Sequence, residues 1–453
     1  MKIIIAGAGR IGGSLAEVLS KDGHEITVID RDSETIEHVS NDIDVICIEG
    51  SATNPDVLSE AGAADAELII AATEQDEVNM VCGISARKLG TDHVVARVRD
   101  TEYLGKTEFF REALGISQIV NPEYECAKEI SRILRFPSAA RVDAFSKGSV
   151  EIVEHRVMPG GRLVGVPLRD LQKIFGAKVL VSLAERNGEA IIPKGDFVIQ
   201  GDDVLSITGA SREVRKFFMA ADAYIRPVKD VMVMGGGRTA VYLARILQEN
   251  GIGVCLIEES RSRCEELCEL LPEARIICGD ASRSDVLLEE GIMEADGFVA
   301  LARDDGDNII TSIYAKHCGV AKIVTRINHE HFAEIFEDRE LDSIVIPKKI
   351  IVQQITRYVR AMSNSAGSSM ETLYKLADGK AEALEFRVTE GAKCIGIPIR
   401  NMDLKPNVLL AAVIRGGKCI VPDGNTEIHA HDHVVIVAET DEVETINDIM
   451  RGA

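Results

Sequence analysis

The sequence predicts an α/β protein built from two tandem modules, each a doubly wound parallel-sheet lobe followed by a small β-rich α+β lobe. Three observations carry the prediction. Short β-branched runs alternate with helical stretches through residues 1–120, the pattern of βαβ units in a parallel sheet covered on both faces. From about residue 150 to 218 the texture changes to strand-like runs parted by Gly, Pro and Asp-Asp turns, which suits a small β-rich lobe. The whole pattern then recurs, and a repeat of this length organises a chain before any motif does. Gly7-Ala8-Gly9-Arg10-Ile11-Gly12 aligns with Gly235-Gly236-Gly237-Arg238-Thr239-Ala240 at an offset of 228, as does Asp30 with Glu258. Gly50-Ser51-Ala52 matches Gly279-Asp280-Ala281 at 229, and Glu154 matches Glu385 at 231.

Taken in order, the first lobe should place strands over 2–6, 25–30, 45–48, 68–72, 93–98 and 117–120, with helices over 12–21 and 78–89. A further helix over 123–134 should stop before Pro137, because a proline disfavours helical geometry in the residue preceding it. The β-rich lobe should hold strands over 149–157, 177–185, 189–192 and 204–208. Flexible joints are expected at 138–147, 226–230 and 361–370. The chain so divides into a Rossmann-type lobe (1–122), a crossover helix (123–140) and a small lobe (141–226), then the same again over 228–347, 348–365 and 366–453.

Composition excludes several classes of function. Across 453 residues, 51 Lys and Arg against 73 Asp and Glu leave a net charge of −22. Such a surface repels phosphate backbones and anionic headgroups, so no nucleic acid is expected as partner. The longest apolar runs, such as 408–414, are far shorter than the roughly 20 residues of a spanning helix. The first residues run straight into a strand with no signal-peptide layout, so a cytosolic protein without direct membrane insertion is expected. The ten cysteines form no Cys-x-x-Cys pair and read as reduced thiols, Cys264 and Cys268 included. His429, His431 and His433 alternate before a strand; they suit either a surface metal site or a solvated loop, and no metal ligand is assigned.

The glycine turn follows an apolar strand, precedes a helical run, and is answered by an acid closing the second strand, the context a dinucleotide fold requires. Gly7 permits the tight turn, Gly9 lets backbone approach a pyrophosphate, and Gly12 allows close helix–strand packing. Backbone N–H groups at the helix start would hold the phosphates. Asp30 would accept from the ribose hydroxyls and repel a 2′-phosphate, favouring NAD(H) over NADP(H), with Arg31 beside it as the reservation. In the second turn Ala240 replaces the third glycine, three glycines in a row loosen the loop, and Glu258 stands for Asp30. Ala72-Thr73 and Leu301-Ala302 end strands at the crevice. Arg97 and Arg326 end the fifth strands and suit either phosphate or an ion pair with an acid such as Asp76 or Asp305. A dehydrogenase would need an acid–base group near the nicotinamide. The only histidine of the first small lobe, His155, has Phe386 as its repeat partner, and no Gly-x-Ser-x-Gly elbow, Walker lysine loop or zinc-protease motif is present. A nucleotide pocket without catalytic apparatus reads as a sensor, not an enzyme.

The Gly-Ala-Gly-Arg-Ile-Gly turn, Asp30, the Glu-Gly-Ser-Ala-Thr stretch at 49–53, the small lobe and the duplication resemble the RCK family (KTN plus TrkA-C modules) over essentially the whole chain. The resemblance implies a peripheral regulator at the inner face of the cell membrane. It would assemble as a homotetrameric ring beneath an integral-membrane Trk-type potassium-transporting subunit and gate ion flow in response to NAD(H), ATP or ADP. It further implies that Gly7, Ala8, Gly9, Arg10, Ile11, Gly12, Asp30, Ser51, Ala72, Thr73 and Arg97 serve a first nucleotide. Gly235, Gly236, Gly237, Arg238, Thr239, Glu258, Asp280, Leu301, Ala302 and Arg326 would serve a second. Hinges are expected at 123–147 and 348–370. Two other readings stay open: an NAD-dependent oxidoreductase, and a nucleotide-binding regulator of a different transporter.

Overall fold

The computed structural model describes residues 1–451 apart from 101–102, 104–106, 136–140, 222–227, 337–340, 342, 365–369, 440–442 and 444. The first lobe is a six-stranded sheet of β1 (Lys2–Ala6), β2 (Glu25–Asp30), β3 (Ile46–Glu49), β4 (Leu68–Ala71), β5 (His93–Arg97) and β6 (Gln118–Val120). Every pairing is parallel and the order is β3-β2-β1-β4-β5-β6, so the order reverses between β1 and β4. Strands of such a sheet are buried on both faces and read as unbroken apolar runs; Ile3, Ile4, Ile5 and Ala6 are all fully buried. Ligands sit outside the carboxyl ends of the strands at the reversal, which is where the glycine turn lies.

The first small lobe is an antiparallel sheet of β7 (Arg141–Phe145), β8 (Val150–Arg156), β9 (Leu180–Arg186), β10 (Glu189–Ile191) and β11 (Val204–Gly209), in the order β10-β9-β11-β8-β7. The expected joint at 138–147 instead carries an edge strand: 141–145 pairs with β8, burying Val142 on the face towards the lobe's own core and Phe145 on the face towards the second small lobe; residues 138–140 lie outside the described residues.

The second half repeats both sheets. The parallel one comprises β12 (Asp230–Met234), β13 (Gly253–Glu258), β14 (Arg275–Cys278), β15 (Gly297–Ala300), β16 (Lys322–Arg326) and β17 (Ile344–Val345), ordered β14-β13-β12-β15-β16-β17. The small one comprises β18 (Met370–Leu376), β19 (Ala381–Arg387), β20 (Val408–Arg415), β21 (Lys418–Ile420) and β22 (His433–Glu439), ordered β18-β19-β22-β20-β21. The apolar run at 408–414 is therefore a strand, and no described helix is long and apolar enough to cross a membrane. Of the other two joints, residues 226–227 and 365–369 lie outside the described residues.

The two halves exchange helices. The first crossover helix (Pro122–Arg135) leaves its own lobe and packs Cys126, Ala127, Ile130, Ile133 and Leu134 into the core of the second, against Val231, Val233, Leu243 and Leu247. The second crossover helix (Pro347–Asn364) returns the exchange, setting Ile351, Val352, Ile355 and Val359 against Ile3, Ile5, Leu15 and Leu19 of the first. Full burial of an aliphatic side chain is worth roughly 1.5–3 kcal/mol, so each helix contributes on the order of 5–10 kcal/mol of gross burial to the lobe it did not come from. An ion pair from Arg360 to Asp22 at 3.0 Å adds a polar tie. The small lobes likewise share one core, in which Phe145, Val150, Ile152 and Leu183 meet Tyr374, Leu376, Ala381 and Val435.

Candidate functional site

A cavity of about 660 Å³ opens at the carboxyl ends of the first sheet, and both halves supply its walls. The turn after β1 is made by Gly7 at φ +99°, and a Cβ there would lie 2.9 Å from Thr73 N. A Cβ on Gly12 would lie 1.7 Å from the Gly7 carbonyl oxygen, so that position admits only glycine in this geometry. A Cβ on Gly9 would meet nothing within 4 Å, so its backbone faces open space. The helix Arg10–Lys21 starts there with no side chain capping its first turn and no acid in it. Its orphan N–H groups and positive dipole end are left for an anion.

Asp30 closes β2 and turns back on the loop. Its carboxylate accepts from Ala8 N at 2.6 Å and from Asp32 N at 3.1 Å, so it fixes the turn as well as facing the cavity. Thr73 and Arg97 are held together by Asn79, a fully buried residue on the helix Asp76–Leu89. Asn79 accepts from Thr73 N at 2.8 Å and Thr73 Oγ1 at 2.7 Å, and donates to the carbonyls of Thr73 at 3.0 Å and Arg97 at 2.9 Å. The sequence reading missed this residue. Its signal was available in the repeat, since Asp76-x-x-Asn79 recurs as Asp305-x-x-Asn308, and Asn308 makes the same staple between Ala302 and Arg326.

The two strand-ending arginines do not pair with Asp76 or Asp305. Arg97 donates to the Thr73 carbonyl at 3.3 Å and Arg326 to the Ala302 carbonyl at 2.7 Å, while the Nε of each is buried with no hydrogen-bond partner. Burial holds both guanidinium groups below their ordinary pKa, aided at Arg97 by the neighbouring Arg99. The acids are spent elsewhere. Asp76 accepts from the backbone of Arg99 and Asp100, and Asp305 from the backbone of Asn328 and His329. Burial alone would raise the Asp305 carboxyl; those N–H groups and the Asn328 and His329 side chains hold it below the ordinary range.

Of the residues expected to serve a first nucleotide, Gly7, Gly9, Arg10, Ile11, Asp30, Ala72, Thr73 and Arg97 line the cavity, and Ala8, Gly12 and Ser51 do not. Thr239 and Arg326 of the second set line it too, with Glu123, Asn328 and Lys348, which sequence reasoning had not singled out. Six cationic wall residues against four acidic ones gather positive charge inside a chain of net −22. Among the described residues the wall includes no histidine, cysteine or tyrosine, and His155 is buried in the small lobe against Phe218.

The rest of the second set clusters around its own turn. Gly235 takes φ +92° beside Leu301 and Ala302. Glu258 accepts from Gly236 N at 2.7 Å, and Arg263, where the first half has Thr35, donates to the Gly236 carbonyl at 2.9 Å. The run of three glycines is not slack: a Cβ on Gly236 would lie 2.5 Å from Leu267 Cδ1 and 3.0 Å from Glu258 Oε2. Arg238 opens the helix Arg238–Glu249, Ala240 is buried within it, and Asp280 holds Ser282 in the turn after β14.

Comparison with known proteins matches residues 3–122 and 231–347 to the TrkA-N domain, and 152–221 and 383–451 to the TrkA-C domain. A Trk system potassium uptake protein TrkA homolog of Archaeoglobus fulgidus is 32% identical over 452 residues, covering 100% of both chains. The Trk system potassium uptake protein TrkA of Vibrio alginolyticus is 32% identical over 444 residues, covering 96% of this chain and 95% of its own. Among solved structures, the GsuK RCK domain aligns at a TM-score of 0.63 and 19% identity over 97% of this chain and 92% of its own. The GsuK channel bound to NAD aligns at 0.63 and 18% identity, over 97% of this chain and 77% of its own, which is a likeness of fold.

Proposed function

From the premise that the chain belongs to the family of Trk-system TrkA potassium uptake proteins, with tandem TrkA-N and TrkA-C domains, we propose that it is a non-enzymatic, nucleotide-binding regulatory subunit. Its partner is an integral-membrane Trk-type potassium-transporting subunit, and it works as a homotetramer at the inner face of the cell membrane. The observation that carries the reading is the shared cavity: a glycine turn and Asp30 from one half face Arg326 and Lys348 from the other. A ligand with an adenosine ribose at Asp30 and phosphates over the Arg10 helix start would end at residues of the second half, so its binding changes how the halves meet.

The residues fit such a group on three counts: a glycine turn whose open face at Gly9 a Cβ would occupy, an uncapped helix start, and buried arginine Nε atoms without partners. When bound, NAD(H), ADP or ATP supplies the negative charge that those donors lack. The protein's own share is to orient the ribose through Asp30 and to hold phosphate without chemistry. The second turn offers the same frame, with Glu258 for Asp30. The lobe and crossover-helix division given above is the division we propose for the working parts. A GsuK structure bound to ADP, with a TM-score of 0.51 over 79% of this chain, lends support to a nucleotide in this fold.

The test is calorimetric titration of the full chain with NAD, NADH, NADPH, ATP and ADP, with absorbance at 340 nm followed alongside. Saturable binding without NADH consumption, weakened at least tenfold in Asp30→Ala, is the expected result. Steady NADH turnover with a metabolite mixture would make it an oxidoreductase. Failure to co-purify with a Trk-type membrane subunit would assign it another partner.

A further inference from the structure

The second half carries a group of metal-type donors that the nucleotide cavity does not use. Glu371, Glu385 and His433 offer one ligand atom each, all within 4.8 Å of one another, on the wall of a cleft of about 1270 Å³ between the small lobes and the crossover helices. The backbone sets them there. His433 opens β22 and Glu385 lies on the adjacent β19, two residues from the partner of His433 in the ladder, so the two side chains share a face. Glu371 is the extra residue where the β18–β19 register slips between Met370 and Thr372, and a bulge re-aims the side chain it carries. Ser146, from the first small lobe, donates its N–H to Glu385 Oε2 at 3.2 Å and its hydroxyl to Oε1.

The donor geometry is specific. His433 Nδ1 stands 2.8 Å from Glu371 Oε2 and 3.4 Å from Glu385 Oε1. That nitrogen is shielded from solvent and makes no well-aligned hydrogen bond to either carboxylate, so the three ligand atoms converge on one space. Glu385 itself is only 3% exposed, and a buried carboxylate calls for a cation. Zinc bonds of about 2.0–2.2 Å put tetrahedral ligand atoms roughly 3.3–3.6 Å apart, against 2.8 and 3.4 Å from His433 to the two carboxylates and an upper bound of 4.8 Å for the whole group. One imidazole beside two carboxylates favours a first-row divalent ion over Ca²⁺ or Mg²⁺, which take oxygen.

We propose that Glu371, Glu385 and His433 form a site for one divalent first-row transition-metal ion of the Zn²⁺ class, with Ser146 orienting Glu385 from the other small lobe. The repeat supplies its own control. In the ladder of the first half Val204 faces Arg156, as His433 faces Arg387 in the second, so the first small lobe lacks the imidazole and the stoichiometry is one ion per chain. The ion ties the start of β18, which follows the second crossover helix, to β19 and β22.

The experiment titrates the chelator-treated full chain with Zn²⁺ against a chromophoric competitor, with Mg²⁺ and Ca²⁺ in parallel, and records the Co²⁺ absorption spectrum. The expected result is one Zn²⁺ per chain, at least 100-fold weaker in His433→Val and in Glu371→Gln, with melting temperatures within a few degrees of the parent. The Co²⁺ complex should show no thiolate charge-transfer band. Unchanged Zn²⁺ affinity in His433→Val, a thiolate band from Cys268 or Cys278, absence of saturable binding, or equal affinity for Mg²⁺ would each overturn the assignment.

Discussion

Removing Asn79 tests whether the nucleotide crevice is held from beneath. The side chain is fully buried and makes four hydrogen bonds: it takes the Thr73 N–H and hydroxyl and gives to the carbonyls of Thr73 and Arg97. In Asn79→Ala the Thr73 hydroxyl keeps the Gln75 carbonyl, 3.3 Å away, and the Thr73 carbonyl keeps the Arg97 guanidinium, also at 3.3 Å. The Thr73 N–H and the Arg97 carbonyl are left unpartnered. A buried group without its partner loses about 1–3 kcal/mol, and the cavity vacated by the amide adds to that. A loss of about 3–4 kcal/mol is therefore expected in urea denaturation of the full chain. Affinity for the best-binding nucleotide should fall at least tenfold, because both Thr73 and Arg97 line the cavity. Amide hydrogen exchange at Thr73 is the direct readout, and it should speed up in the variant. A loss below about 1 kcal/mol with Thr73 still protected would refute the staple, and Asn308→Ala should repeat the behaviour in the second half.

Two further outcomes follow from the same geometry. Tyr242, buried on the helix after the second glycine turn, donates its hydroxyl to the Arg99 carbonyl of the first half at 3.0 Å and accepts from Asn121 at 3.1 Å. Tyr242→Phe keeps the packing and should cost about 1–2 kcal/mol, visible as easier opening between the halves in hydrogen exchange at residues 121–135; unchanged exchange would deny the link. Asp203 and Asp432 each meet an arginine through two oxygens, Arg186 at 2.7 and 2.8 Å and Arg415 at 2.9 and 2.7 Å. Burial alone would raise these carboxyls, but the arginines and a backbone N–H hold both below the ordinary range. Their contribution is full above the unfolded carboxylate pKa of about 4 and drains as pH falls below it. The small lobes should weaken in acid, and Asp203→Asn with Asp432→Asn should flatten that slope in thermal melts taken from pH 6 to pH 3.

The six parallel strands were legible because their burial on both faces forces continuous β-branched runs, and the glycine turn because Gly7 and Gly12 have steric reasons to be glycine. The strand at 141–145 was hidden because an edge strand needs few buried side chains, Val142 and Phe145 among the described ones, and its flanks resemble a linker. The crossover helices were legible as helices, but an amphipathic pattern says that a face is buried without saying against what. The exchange of Ile130 and Ile355 between lobes was therefore out of reach of periodicity. The three alternating histidines part company in the fold. His431 takes φ +68° in a turn and His429 leans towards Glu427, while His433 alone reaches Glu371 and Glu385, neighbours that only the sheet brings close.

The exchange of helices gives the proposed regulation its energetic footing. A ligand moves a conformational equilibrium only by its difference in affinity for the two states. A ligand confined to one lobe would have little difference to offer, since each sheet is rigidly packed. Here Arg326 belongs to the second sheet and holds its Ala302 loop at 2.7 Å, yet also walls the first cavity. Lys348 sits in the first turn of the second crossover helix, paired with Glu330 at 2.5 Å, and walls the same cavity. A phosphate that engages both in one arrangement of the halves and neither in another gains two charge-assisted hydrogen bonds, roughly 1.5–3 kcal/mol each. The resulting difference of roughly 3–6 kcal/mol brackets the approximately 5.5 kcal/mol that turns a 1:99 population into 99:1. Because the second crossover helix is packed into the first lobe and leads into β18, that shift is delivered to the small lobes without passing through either glycine turn again.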